Sequence, residues 1–281
     1  MRIPLLLLLS AVALADYYPA RFEEGYTFTA VATGLYREPD TASALMAEVP
    51  PGELLEIEGF SGVTMVADSC AWGWYEAGYR LGVTEIHGYV LDRDLAFASV
   101  LLAPDTVFVY RLTGFDTEAG FFTGEAAVVS DGRVLASVDY PPCWTPWGRT
   151  FDYDVLAFLE DPSGLDGVSA LVCLSFGMHA CGYENRDDLL AWTRDGRLVA
   201  GPQASWIAEG GLFHVWTEIV LPSDSGGVRN RVIHRSFRDE YVEETDEYVV
   251  TDEWTEIFSW TGDSFELADE DHSDYSSPLQ Q

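Results

Sequence analysis

Short segments of alternating apolar and polar residues recur along most of the chain. Residues 26–31 and 53–58 alternate with a period of two, and Gly, Pro and Asp residues separate them from the segments that follow. This period places successive side chains on opposite faces of a strand, and the turn residues favour reversals between strands. No long segment shows the 3.6-residue period of an amphipathic helix. The pattern therefore predicts an all-β fold of short antiparallel strands.

Three turn sequences flanked by apolar strands indicate hairpins in the part of the chain beyond residue 105. The turns are Ser-Asp-Gly-Arg at 130–133, Arg-Asp-Gly-Arg at 194–197 and Thr-Gly-Asp at 261–263. Gly and Asp tolerate the positive φ angles that tight hairpin turns require. Their recurrence predicts a larger antiparallel β-domain over residues 105–268, either a sandwich or a partial propeller. The acidic residues 269–281 have little apolar content and are predicted to be a disordered tail.

The first fifteen residues have the features of an export signal. A basic start precedes an apolar run over residues 4–14, and Ala13-Leu14-Ala15 supplies the small residues that signal peptidases cleave. The run is shorter than the roughly 20 residues that span a bilayer, although an uncleaved anchor is an alternative. Later segments are not apolar enough to span a membrane. We therefore expect residues 1–15 to be a signal peptide and the mature protein to be periplasmic or secreted.

The charge of the chain narrows its possible partners. The formal net charge is −32, and every basic residue other than histidine is arginine. Such a charge repels phosphate groups, which argues against nucleic acid and against anionic lipid surfaces as partners. A saline habitat and an arginine-favouring lineage would both explain this composition.

The four cysteines suggest disulfide bonds, because their number is even and the chain carries an export signal. Cys173 and Cys181 are close in sequence and could close a loop or a hairpin. Cys70 and Cys143 would then connect the first domain to the second. Other pairings and free thiols remain open.

Four segments in the first part of the chain occur in the order typical of one domain family. They are Gly-Leu-Tyr-Arg-Glu-Pro-Asp at 34–40, Val-Pro-Pro-Gly-Glu at 49–53, Gly-Trp-Tyr-Glu-Ala at 73–77 and Gly-Tyr-Val-Leu-Asp-Arg-Asp-Leu at 88–95. Residues 24–100 thereby resemble the bacterial SH3 (SH3b) family. The resemblance covers about a quarter of the chain and implies an SH3-like small barrel that acts as a binding module. Some relatives bind peptidoglycan peptides, and others are spacers or docking surfaces.

Aromatic residues of this first domain divide into core and ligand-binding candidates. Trp74 and Tyr89 lie in predicted strands among apolar neighbours and are expected in the barrel core. Tyr36, Trp72 and Tyr79 fall in predicted loops and are the candidate ligand-binding residues, where their rings could form a stacking groove. The longer connection over 60–72 and the insertion over 79–86 depart from the family pattern.

The chain lacks the sequence signatures of common catalytic sites. It has no Gly-x-Ser-x-Gly segment, its five histidines are not spaced as zinc ligands, and its cysteines do not lie in a peptidase nucleophile segment. Residues 161–167 resemble a degraded calcium loop that lacks its central acid, so we predict an acidic turn without metal. We expect no cofactor and no enzymatic activity.

The predicted function is non-catalytic binding or scaffolding in the cell envelope, with peptidoglycan peptides or an envelope protein as the partner. The alternatives are a wall hydrolase of unrecognised type and a purely structural docking protein.

Overall fold

The computed structural model describes residues 22, 25–118, 121–141, 152–158, 164–177, 182 and 184–274, with the backbone alone for 152–158 and 272–274. All strand pairings there are antiparallel, and the one short helical segment among these residues is a 3-10 turn at Asp92–Asp94. The predicted all-β fold is confirmed. This part of the chain contains no helix of the length and apolarity needed to cross a membrane. The predicted signal peptide, Cys143 and Cys181 lie outside the described residues.

The chain divides into two compact units, Met1–Phe151 and Asp152–Gln281. The first unit begins with a six-stranded sheet in the order β1-β4-β5-β6-β2-β3. Its strands are β1 (Gly25–Phe28), β2 (Thr33–Tyr36), β3 (Leu45–Val49), β4 (Leu54–Ala67), β5 (Cys70–Leu81) and β6 (Thr84–Leu91).

Two segments predicted as loops are strands in this sheet. The end of β4 pairs with the start of β5 through a turn at Asp68 and Ser69, whose φ angles are 51° and 60°. Positive φ at both central residues belongs to the type I′ turn, which usually contains glycine. The predicted connection 60–72 is therefore mostly a β-hairpin. The predicted insertion 79–86 is likewise the end of the β5–β6 hairpin, in which Tyr79 pairs with Ile86.

One face of the six-stranded sheet encloses a hydrophobic core. Leu95, which follows the 3-10 turn, contributes to this core, as does every strand except β1. The buried strand residues are Leu35, Val49, Leu55, Ile57, Tyr75, Ala77, Tyr79 and Val90. Strand β2 lies against β6 at Gly88. A Cβ atom on Gly88 would lie 2.5 Å from the backbone oxygen of Tyr36, so only glycine permits this approach.

A four-stranded sheet completes the first unit. Its order is β10-β9-β8-β7, with β7 (Ala98–Ala103), β8 (Thr106–Asp116), β9 (Phe121–Ser130) and β10 (Arg133–Asp139). Asp131 and Gly132 have positive φ angles in the β9–β10 turn, which confirms the first predicted hairpin. Val107, Val109, Ala127 and Val129 of this sheet form one core cluster with Ala30 and Ala96. The first unit therefore continues beyond residue 100, past the predicted division between residues 100 and 105.

The second unit is built on an eight-stranded sheet in which every strand pairs with its neighbour in sequence. The strands are β11 (Asp152–Phe158), β12 (Val168–Gly177), β13 (Glu184–Thr193), β14 (Leu198–Glu209), β15 (Phe213–Val220), β16 (Arg231–Val242), β17 (Glu247–Trp260) and β18 (Phe265–Asp274). The second and third predicted hairpins are confirmed as β13–β14 and β17–β18. They belong to one continuous sheet, so the hairpin pattern does not mark separate propeller blades.

The eight-stranded sheet is curled, because its distant strands meet. Arg197, directly before β14, forms an ion pair of 2.8 Å with Asp263, which precedes β18. The Trp260 indole Nε1 donates a hydrogen bond of 2.8 Å to the carbonyl oxygen of Asp166. Curling lets β12, β13, β16 and β17 share one apolar core. Residues 269–274 pair with β17 as part of β18, so the prediction of disorder for this part of the tail is wrong.

Candidate functional site

A groove of about 600 Å³ lies on the first unit beside β2 and β3. Its walls come from segments distant in sequence, namely β2, β3, the Pro50-Pro51 turn, the 3-10 turn and the β9–β10 turn. The lining residues are Ala32, Thr33, Gly34, Tyr36, Leu45, Glu48, Val49, Pro50, Pro51, Asp94 and Gly132.

The groove combines aromatic and aliphatic side chains over a glycine. A Cβ atom on Gly34 would lie 2.6 Å from the Tyr36 ring and 2.8 Å from Leu45, so both side chains lie directly over this residue. Tyr36 is half-buried, and its ring meets that of Trp74 edge to face at 5.7 Å. Leu45 is 49% exposed. Tyr36 and Leu45 thus form an apolar surface over Gly34, and this surface is partly open to solvent.

Two carboxylates give the groove its electrostatic character. Asp94 accepts a hydrogen bond of 2.7 Å from the Thr33 hydroxyl and lies 3.4 Å from the Arg93 guanidinium. Burial raises the pKa of Asp94, although Thr33 and Arg93 oppose that shift. Glu48 is exposed at the rim, and none of the lining residues is basic. A positively charged ligand group would therefore meet complementary charge here.

Strand β3 also offers backbone groups at the groove. It pairs with β2 on one side and is the last strand in the order of its sheet. An edge strand presents N–H and C=O groups that can bind an extended peptide as an added strand. Leu45 and Met46 on β3 are exposed, and such apolar side chains can contact the side chains of an added strand.

The predicted loop positions of Tyr36, Trp72 and Tyr79 are wrong, because all three residues lie in strands. Tyr36 ends β2 and lines the groove, whereas Trp72 and Tyr79 lie in β5 and are 0% and 4% exposed. The Trp72 indole donates a 3.0 Å hydrogen bond to the carbonyl oxygen of Ala67. Burial in the sheet core raises the pKa of Tyr79, and Glu53 adds to this shift. Of the three predicted residues, the structure leaves only Tyr36 with a ring at an open surface.

The prediction that Trp74 and Tyr89 are core residues is confirmed for Trp74 only. Trp74 is buried, as expected for a residue in the middle of β5. Tyr89 is only half-buried, and its hydroxyl donates a hydrogen bond of 3.1 Å to Glu76. It lies opposite Tyr36 where β6 meets β2.

The disulfide and metal predictions concern residues that the structure describes only in part. Cys70 is buried in β5 and Cys173 half-buried in β12, but their predicted partners lie outside the described residues, so the pairing stays a prediction. Of the acidic turn 161–167, residues 164–167 are described. Arg229 and Asn230 hydrogen-bond to the Asp166 carboxylate there and lower its pKa. Within the described residues, no group of three or more His, Cys, Asp and Glu side chains could hold a metal ion.

Sequence reasoning missed Leu45, Glu48 and Asp94 as groove residues. Leu45 and Glu48 lie between two of the segments that carry the family resemblance, Asp94 lies in the last of these segments, and nothing local distinguishes the three from surface residues. Only the pairing of β2 with β6 brings Asp94, through the turn after β6, next to Thr33. Pro50-Pro51 directly follows β3 and ends it, because proline has no N–H group for further strand pairing.

The residues of the groove are suited to recognition, since carboxylates, an aromatic ring, aliphatic side chains and strand-edge backbone meet at one surface. No family model, no curated protein and no solved structure matches the chain, so the function must be argued from these residues themselves.

Proposed function

We propose that this protein is an exported envelope protein that binds an extended, amine-bearing peptide in the groove beside β3. The observation that carries the proposal is the meeting of Tyr36, Leu45, Glu48 and Asp94 in one groove of about 600 Å³. The carboxylates would pair with the amine, and the aromatic and aliphatic side chains would contact the rest of the peptide. The stem peptides of peptidoglycan carry free amines and are the leading ligand class.

Three sequence features support the proposal. Residues 24–100 resemble the SH3b family, in which some members bind peptidoglycan peptides. Residues 1–15 resemble a cleaved signal peptide, which would place the protein in the periplasm or outside the cell. The net charge of −32 opposes binding to anionic wall polymers but favours ligands that carry an amine.

The test is co-sedimentation of the mature protein with purified peptidoglycan sacculi over a salt series, with the supernatant assayed for released muropeptides. We expect retention that weakens as salt rises, because charge pairs at an open surface are screened. We expect no release of fragments. Release would instead show a wall hydrolase, and absence of retention at every salt concentration would contradict peptidoglycan as the ligand.

Variants locate the binding surface. Tyr36→Ala and Glu48→Gln should each weaken retention by about tenfold, which corresponds to about 1.4 kcal/mol. Tyr26→Ala is the matched control, because Tyr26 is an exposed tyrosine of the same unit and does not line this groove. If Tyr26→Ala weakened retention as much as Tyr36→Ala, the groove would not be the binding site.

A further inference from the structure

The hairpin end of β16 and β17, residues 241–250, extends beyond its neighbours in the sheet. Strand β15 pairs with β16 only as far as Glu240, and β18 in the described part pairs with β17 only as far as Asp252. Apart from a hydrogen bond of 2.8 Å from the Tyr241 N–H to the carbonyl oxygen of Leu212, the hairpin end is therefore a two-stranded ribbon among the described residues, and we call it the acidic arm. A two-stranded ribbon without further packing is only marginally stable in water.

The acidic arm carries apolar side chains on both faces. Tyr241 and Tyr248 are cross-strand partners with ring centroids 5.4 Å apart, and Val250 lies on the same face. These three residues are 36%, 41% and 41% exposed. On the opposite face, Val242 and Val249 line a groove of about 450 Å³. Exposed apolar surface on both faces of a narrow ribbon is typical of a segment that a partner covers.

The charge around these apolar residues is mainly negative, and Arg238 forms an ion pair of 2.9 Å with one of the acids, Glu240. Residues 239–253 contain eight acids and no basic residue: Asp239, Glu240, Glu243, Glu244, Asp246, Glu247, Asp252 and Glu253. Asp239 contacts His214 at 3.0 Å, and Asp246 accepts a hydrogen bond from the Tyr241 hydroxyl. No ion pair within the described residues involves Glu243, Glu244 or Glu247. The first two of these residues lie at the turn of the arm.

We propose that the acidic arm binds a basic polypeptide segment of a partner protein. Lysine and arginine carry long aliphatic stems that can lie on Tyr248 and Val250 while their charged ends reach the surrounding carboxylates. A ligand that complements the arm needs both apolar groups and positive charge, and a basic polypeptide segment carries both. The site belongs to the second unit, so the proposal does not depend on the groove of the first unit.

The test uses two synthetic peptides as probes, (Lys-Leu)₄ and (Lys-Ser)₄, which carry the same charge and differ in apolar content. Calorimetric titration of the full mature chain at 0.15 M salt should give binding of (Lys-Leu)₄ about tenfold tighter than that of (Lys-Ser)₄. Equal affinity for the two peptides would overturn the proposal, because charge alone would then explain binding.

One double substitution locates the binding to the acidic arm. Tyr248→Ser combined with Val250→Ser keeps every charge and should weaken binding of (Lys-Leu)₄ about tenfold without changing that of (Lys-Ser)₄. Both residues are exposed, so the variant should keep the thermal unfolding midpoint of the parent protein to within a few degrees. An unchanged affinity in this variant would overturn the proposal.

Matched charge variants complete the experiment. The arm variant removes three carboxylates of the acidic arm, and the control removes three exposed carboxylates of the first unit. They are Glu243→Gln, Glu244→Gln and Glu247→Gln against Glu56→Gln, Glu85→Gln and Glu118→Gln. The arm variant should bind (Lys-Leu)₄ about tenfold more weakly, and the control should change the affinity by less than about twofold. Equal weakening in both would show that the overall negative charge, and not the arm, binds the peptide.

Discussion

Acidification from pH 7 to pH 5 should weaken the second unit through the protonation of one buried histidine. His234 lies in β16 and is 1% exposed, and its ring centroid is 5.0 Å from that of Phe258. Its Nε2 atom has no hydrogen-bond partner among the described residues. Ile219 and Glu256 lie opposite His234 on the two neighbouring strands. A protonated imidazole in this position would be a buried charge.

The structure gives the sign and size of the effect. Burial lowers the pKa of His234 from 6.5 to about 4. The folded state therefore binds this proton more weakly than the unfolded state does, so stability is complete above pH 6.5 and falls as the pH drops toward 4. At 1.36 kcal/mol per pKa unit, the loss approaches about 3 kcal/mol below pH 4 and is about 2 kcal/mol at pH 5.

Carboxylates titrate over part of the same pH range with the opposite sign. Burial raises the pKa of Glu256, and Glu270 raises it further, so acidification relieves repulsion there and favours the folded state. The contribution of His234 must therefore be taken as a difference between the parent protein and His234→Leu, which removes the titrating group.

Hydrogen exchange of the β15–β17 amides, measured by mass spectrometry and corrected for intrinsic rates, gives the free energy of opening at each pH. Between pH 7 and pH 5 the parent protein should lose about 2 kcal/mol more than His234→Leu does. His87→Gln is the control, because His87 is an exposed histidine of β6 in the first unit and its removal should leave the pH dependence of the β15–β17 amides unchanged. Parallel curves for the parent protein and His234→Leu would refute the reasoning.

Three further substitutions test the packing of the fold. Asp92→Asn should stabilise the first unit by about 1–3 kcal/mol at pH 7, as measured by urea unfolding. Burial raises the pKa of Asp92, so the wild-type protein loses stability as the pH rises through that pKa and the carboxyl ionises. A less stable variant would contradict this. Gly88→Ala should cost about 1–3 kcal/mol, because its Cβ would clash with the backbone of Tyr36, and an unchanged unfolding midpoint would show that β2 can move away. Trp260→Phe should lower the thermal midpoint of the second unit, because it removes the 2.8 Å hydrogen bond to the carbonyl oxygen of Asp166; an equal midpoint would mean that water replaces this bond.

The parts of the fold that sequence predicted are those encoded locally. The three predicted hairpins contain Asp and Gly at their turns, and the positive φ angles of Asp131 and Gly132 show why that chemistry is informative. The β4–β5 hairpin was missed because its turn uses Asp68 and Ser69, neither of which is glycine. The acidic composition of residues 269–274 likewise led to a wrong prediction of disorder, because their backbone pairs with β17 as part of β18.

The candidate site was less predictable, because it depends on contacts between distant segments. The prediction that Tyr36 is an exposed aromatic residue agrees with its place in the lining of the groove, although the residue lies in a strand. Trp72 and Tyr79 were selected for the same reason, but the hairpins on either side of them place both in the sheet interior. The approach of Asp94 to Thr33 follows from the pairing of β2 with β6, which no local pattern encodes.

The two strand orders described above imply different folding kinetics. Every strand of the second unit pairs with its neighbour in sequence, so each step closes only a short loop and costs little chain entropy. In the first unit β1 can pair with β4, and β2 with β6, only after the intervening segments have been made. During synthesis from the N-terminus, the slower unit is therefore made first. Until residue 91 has been made, β2 has no β6 to pair with, and apolar residues left exposed in such an incomplete sheet favour aggregation.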